Sequence, residues 1–299
     1  MTGNVYDGLA EEHGGDARWA YGTGFDDPLA SVDASVPEGV DPADLATYCL
    51  MLGDDALVMS QRLTQWCTRA PELEEEVALA NTGLDLLGQA RPLLGRAGLA
   101  DPSVCPRPGP DTPDVDALAY FRDEDQFRNV TLVEAPGGDF ARTMAQLLVF
   151  STWRLALLHR LTASRDGVLA AVAAKGVAEL TYHRDYAARW VVRLGDGTAV
   201  SRERMMRGLA LTWPYIEELF DTTDVERWLA GAGVGVDPAD LREEFDTVLA
   251  QVLDAACLTV PEVAPLHGVH GREGRHTGEL APLLHELQAL ARAHPDATW

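Results

Sequence analysis

The chain has 299 residues, 46% of them hydrophobic, enough for a sizeable core, and no apolar run reaches the ~18 residues needed to span a bilayer. A formal net charge of −23 argues against binding a nucleic-acid backbone, which needs basic surface to displace counterions. Any anionic ligand must be met by a local arginine cluster; the basic side is almost all arginine, with Lys175 the one lysine.

Residues 1–42 are Gly-rich and acidic, with nine Asp or Glu against Arg18 alone. Low hydrophobicity with high net charge cannot offset ordering entropy, so a disordered arm is expected, with Trp19, Tyr21 and Phe25 as its potential docking points. The N-terminus lacks the basic and apolar segments of a signal peptide, so a cytoplasmic protein that avoids membranes is expected. Cys49, Cys67, Cys105 and Cys257 stand far apart without a C-x-x-C pair, which favours buried free thiols over a disulfide frame or metal site. No clear linker divides the chain after residue 43, and 43–299 reads as one domain.

Asp41-Pro42 suits the start of a first helix, Asp as N-cap and Pro at the first helical position. From Leu45 through Cys49, Leu52, Ala56, Met59 and Leu63 to Trp66 runs a strict heptad stripe, the seam of an antiparallel bundle. Asp54 and Asp55 lie off that stripe and read as a solvated or partner-facing pair. A second helix spans about 69–94, opened by Pro71 and by Glu72, Glu74, Glu75 and Glu76, which favour the positive end of the helix dipole. It carries two apolar faces: Leu79, Gly83, Leu86, Ala90 and Leu93, and separately Leu73, Val77, Ala80, Leu84 and Leu87. It is therefore expected to be buried on more than one side.

A Pro-rich connection at 100–113 leads to a predicted helix over 117–134, which contains the polar run Arg122 to Asn129. That run is as consistent with a solvated face as with a nucleotide site. Asp139 caps the next helix, with Phe140, Met144, Leu147, Ser151, Leu155 and Leu158 inward and the Ser151 hydroxyl bonded back to a carbonyl. The fourth bundle helix starts at Asp166 and holds Leu169, Ala173, Gly176, Leu180, His183, Ala187 and Trp190 in register. Further helices are predicted around 200–220, 225–230, 237–258 and 277–293. His267, His270 and His276, in the irregular stretch 259–275, are spaced too loosely to indicate metal.

Di-iron bundles place an inward Glu-x-x-His on each of two helices, because residues three apart share a face. Here the second helix offers Leu86 and Gln89 at that spacing and the fourth Leu180 and His183, while Ala56 stands at the level of the first helix's Glu. On RAPELEEEVALANTGLDLLGQAR, LGDDALVMSQRLTQWC, RNVTLVEAPGGDFA and YHRDYAARWVVRLGDGT, the chain resembles the C subunits of bacterial phenylacetyl-CoA epoxidases, the PaaC family. That resemblance covers residues 43–299. It implies an all-α, ferritin-like four-helix bundle with additional C-terminal helices. It also implies a non-catalytic structural role in phenylacetate catabolism, within a monooxygenase complex whose di-iron sits in a sister catalytic subunit served by a reductase subunit.

In that catalytic sister, the corresponding Arg-Ala-Pro is followed at the same distance by Asp-Glu-x-Gly-His-Gly, which places Leu86 at the Glu and Gln89 at the His. The degenerate metal positions are thus Ala56, Leu86, Gln89, Leu180 and His183, with no cofactor expected in this chain. His183 reads as a hydrogen-bonded core residue. The resemblance makes phenylacetyl-CoA the expected ligand. Gln126, Phe127, Arg128 and Asn129 are the candidate contacts for its coenzyme A part, supplying amides, an aromatic face and a guanidinium. Arg227 and Trp228 form a weaker second patch. The competing readings are a di-iron oxygenase with an irregular ligand set and an unrelated helical scaffold.

Overall fold

Asp41 takes the amide of Ala43 on its side chain and Pro42 opens α1 (Pro42–Thr64), as the sequence predicts. In the computed structural model, which describes residues 32–109 and 112–295, there follow α2 (Leu73–Ala100), α3 (Asp114–Tyr120), α4 (Phe140–Leu161), α5 (Gly167–Gly195), α6 (Ala199–Thr212), α7 (Asp224–Gly231), α8 (Arg242–Ala255) and α9 (Leu280–Ala293). Beyond one antiparallel bridge between His270 and Arg275, the described residues contain no strand. The all-α, ferritin-like architecture is the expected one.

The bundle is two helical hairpins, α1 with α2 and α4 with α5, joined where α2 meets α5, with α6 and α8 packed on the second hairpin. The predicted seams fill the centre: Leu45, Cys49, Leu52, Ala56, Met59 and Leu63 are buried, as are Leu79, Leu86, Ala90 and Leu93 opposite them. Each fully buried leucine is worth about 1.5–3 kcal/mol, so such stripes decide the helix pairing. Gly176 is required where α5 crosses α4, since a Cβ there would lie 2.5 Å from Leu158 Cδ1. The Ser151 hydroxyl bonds back to Leu147 O at 2.5 Å, as expected of a buried helical serine.

Four expectations are corrected. The helix predicted over 117–134 stops at Tyr120 and gives way to 3-10 turns at Glu124–Gln126 and Thr131–Glu134. The amides of Arg128 and Val130 bond to Asp54 and Asp55 instead of to helical carbonyls. The second apolar face of α2 is open: Leu73, Val77, Leu84 and Leu87 are all exposed. Cys67 and Cys257 are exposed rather than buried, while all four thiols are free. Finally, residues 1–31 of the predicted arm lie outside the described residues, but its last stretch is held in place. Arg96 donates to Ser35 O and Arg165 to Glu38 O, so the chain enters α1 along a fixed path.

Candidate functional site

At the level of a di-iron centre the interior is closed by side chains that do not fit one. Ala56, Leu86 and Leu180 are fully buried and offer no ligand atom. Gln89 is spent on two partners: its Nε2 donates to Glu179 at 2.9 Å and its Oε1 accepts from Arg154 Nε at 3.1 Å. His183 bonds through Nε2 to Asp85 at 2.9 Å. Burial outweighs Asp85 and holds the imidazole below the usual histidine range, so it is neutral near pH 7. Its Nδ1 has no partner among the described residues.

Arg154 is what sequence reasoning missed. This fully buried guanidinium from α4 reaches across to Leu52 O on α1 at 3.1 Å and sits 3.7 Å from Asp55 Oδ2. Burial, opposed by Asp55, pulls its pKa down to about 10, which leaves it a cation at neutral pH. A fixed cation between α1, α2 and α4 repels metal dications in the space where carboxylates should gather to hold them. Among the described residues no three His, Cys, Asp or Glu side chains converge as a metal site requires. The clue lay in the sequence, because Arg154 follows Ser151 by three residues and therefore shares its inward face.

Asp54 and Asp55, expected at a solvated or partner-facing surface, are instead fully buried. Asp54 receives both terminal nitrogens of buried Arg122, at 3.0 and 2.5 Å, and the Arg128 amide at 2.9 Å. Asp55 receives Arg272 at 3.0 and 2.9 Å and the Val130 amide at 2.8 Å. Charges this deep persist only when paired and hydrogen-bonded. Buried Glu134 and half-buried Glu218 extend the pattern. Glu134 accepts from Asn129, Thr277 and His276; Glu218 accepts from Thr131 and the Gly271 amide. Together the four carboxylates pin the 121–135 crossover and the irregular C-terminal stretch onto α1.

The sequence matches the family described as Phenylacetic acid catabolic protein, PaaA_PaaC, over residues 33–299. The chain belongs to that family. It is 43% identical over 256 residues to the C subunit of the 1,2-phenylacetyl-CoA epoxidase of Escherichia coli (strain K12), a match covering 85% of this chain and 99% of the relative.

Within this member of the phenylacetic acid catabolic family, the candidate ligand residues divide. Phe127 and Asn129 are fully buried. The Phe127 ring lies under the Arg122 guanidinium, 4.2 Å from its carbon, and the Asn129 amide serves Glu134 and Val130 O. Both belong to the core, which corrects their assignment as ligand contacts. Gln126 is exposed, its Oε1 capping the Asp123 amide at 2.8 Å. Arg128 is half-buried and commits one terminal nitrogen to Asp125 O and Phe127 O, while its other guanidinium nitrogens have no partner among the described residues. Arg227 pairs with Asp224 at 2.6 Å, beside Trp228 at 62% exposure on α7. No hydrogen bond or ion pair among the described residues joins that patch to residues 126–129.

His276, one of the three loosely spaced histidines, is a structural anchor. Burial disfavours its charge, yet the hydrogen bond and charge of Glu134 prevail and raise its pKa above the ordinary histidine value. No helix among the described residues is long and apolar enough to cross a membrane.

Proposed function

We propose that this chain is a non-catalytic, structural subunit of a phenylacetyl-CoA 1,2-epoxidase. In this reading it pairs with the di-iron catalytic subunit, which a reductase subunit supplies with electrons, and helps to hold the CoA ester during phenylacetate breakdown in the cytoplasm. The observation that carries this is the cation in the bundle centre: Arg154 on Gln89, with Ala56, Leu86 and Leu180 around it, occupies the interior that a di-iron pair would need. The 43% identity to an epoxidase C subunit, across nearly the whole of that relative, supports the same assignment.

On the chain's own surface, the residues left to meet the ligand are Gln126 and Arg128, with Arg227 and Trp228 as the second patch. Arg128 offers charge-assisted hydrogen bonds to phosphate, Gln126 an amide, and Trp228 a face for stacking. All redox chemistry then belongs to the sister subunit. The test is turnover of phenylacetyl-CoA by that subunit and its reductase with and without this chain. Dependence on the chain is expected, and equal rates would remove the structural-subunit assignment.

A further inference from the structure

Between α8 and the anchored loop that carries Arg272, the chain crosses the surface with little to hold it. Residues 259–268 are exposed, apart from half-buried Pro261. Even the apolar side chains stand out, Val260 at 56% exposure and Val263 at 39%. Residues 259–269 make one backbone hydrogen bond among the described residues, from the Leu266 amide to Pro214 O at 2.9 Å. A backbone with unpaired N–H and C=O groups is open to pairing with another protein's cleft, and exposed, unbonded stretches are where proteolytic nicking concentrates.

Both ends of the stretch are fixed. Upstream, the Leu258 amide bonds to Leu253 O at 2.9 Å, and Arg202 donates to Cys257 O. Downstream, the Gly271 amide meets Glu218 at 2.7 Å and Arg272 is pinned on buried Asp55. The result is an open span between two clamps.

We infer that the Glu262–Val263 peptide bond is a cleavage site for a glutamyl-specific endoprotease, and that the severed C-terminal piece stays in place. The sequence singles out that bond. Val260–Pro261 and Ala264–Pro265 are bonds to proline, whose ring removes the N–H and fixes φ, so they seat poorly in a cleft that pairs with the backbone. The Leu266 amide is already taken by Pro214 O. Glu262 lies between, exposed, and its carboxylate is a handle for a specificity pocket with cationic or N–H donors. Between Arg242 and Arg272 the chain has no Lys or Arg, so a protease selecting basic residues finds no bond in this span. Hydrolysis adds the hydroxyl of water to the Glu262 carbonyl carbon and a proton to the Val263 nitrogen. After proton transfer from the new acid to the new amine, a carboxylate and an ammonium are left in open solvent.

Retention follows from where the anchors lie, since those of the C-terminal piece are all downstream of the cut. His276 bonds to Glu134 at 2.7 Å, Arg62 donates to Glu279 O at 3.0 Å, and Gln288 donates to Ala119 O and Arg122 O at 3.2 and 3.0 Å. Leu280, Leu283 and Leu284 are buried. Release would also strand Asp55 as a buried carboxylate without Arg272, which opposes it at the deepest point. Arg272 holds Arg128 O at 2.7 Å as well, so a nicked chain keeps its 121–135 crossover where the intact chain has it.

The experiment is limited digestion of the full chain by a glutamyl endopeptidase in native buffer, read by mass spectrometry and gel filtration. The first cut within residues 33–295 should fall after Glu262 and give a piece that begins at Val263. Both pieces should elute together at the position of the uncut chain, keep its helical circular dichroism, and separate in denaturant. Glu262→Gln, at an exposed position, should keep the fold and lose that cut. A first cut elsewhere in that range, a chain left whole there, or the same cut in Glu262→Gln would overturn the site. Elution of the piece beginning at Val263 by itself would overturn its retention.

Discussion

Arg272→Met tests whether buried charge staples the C-terminal stretch to the bundle. The guanidinium is nearly fully buried and makes two bonds to Asp55, at 3.0 and 2.9 Å, plus one each to Met51 O at 2.9 Å and Arg128 O at 2.7 Å. Its removal leaves Asp55 with the Val130 amide and with Arg154, which at 3.7 Å is too far for a hydrogen bond. An uncompensated buried charge costs about 3–5 kcal/mol. For a domain of this size that lowers the Tm by roughly 6–20 °C. Arg154→Met should cost less, about 1–3 kcal/mol, because it orphans neutral acceptors at Gln89 and Leu52 and takes from Asp55 only a 3.7 Å ion pair, leaving it both bonds to Arg272. Asp55→Leu in the Arg272→Met background should recover part of the loss, since removing both partners is milder than removing one. Urea and thermal unfolding of the four proteins decide it. A Tm for Arg272→Met within about 2 °C of wild type, or an Arg154→Met effect larger than the Arg272→Met effect, would refute the reasoning.

Three single contacts carry further predictions. Because Glu134 raises the folded pKa of His276, the pair's stabilisation is complete below the ordinary histidine pKa and fades as pH rises through the raised value. His276→Gln should therefore cost more at about pH 5.5 than at about pH 8.5 in urea titrations, and a pH-independent cost would contradict it. Gly208→Ala should destabilise by about 1–3 kcal/mol, because its Cβ would come within 2.9 Å of the Arg142 backbone where α6 crosses α4; an unchanged Tm would refute that. Arg128→Ala should raise the KM of the assembled enzyme for phenylacetyl-CoA, a loss of about 1.5–3 kcal/mol for a charged hydrogen bond. Unchanged kinetics would make Arg128 a surface feature, and failed assembly an interface residue.

What the sequence made legible was periodic. The heptad stripe from Leu45 to Leu63, the Asp41-Pro42 start of α1 and the inward run from Leu169 to Ala187 follow from spacing alone, and the structure buries those apolar positions. The same spacing places Ala56, Leu86 and Leu180 on inward stripes, and the structure buries all three; their reading as former metal positions, like that of Gln89, came from the family resemblance.

Long-range pairing was not legible. Asp54 and Asp55 lie off the stripe and look solvated until Arg122 and Arg272, 68 and 217 residues away, are brought to them. The same pairing drew the amides at 128 and 130 out of a helix and pulled Phe127 under Arg122, undoing a ligand site that its residue types had suggested. The open face of α2 shows the converse limit, because periodicity marks a face for burial without saying which chain covers it.

The measurement that most directly tests the central claim is elemental analysis of the chain purified alone after iron-replete expression. A bundle centred on the Arg154 cation should hold no stoichiometric iron. About two irons per chain, the content of a working di-iron bundle, would contradict the account.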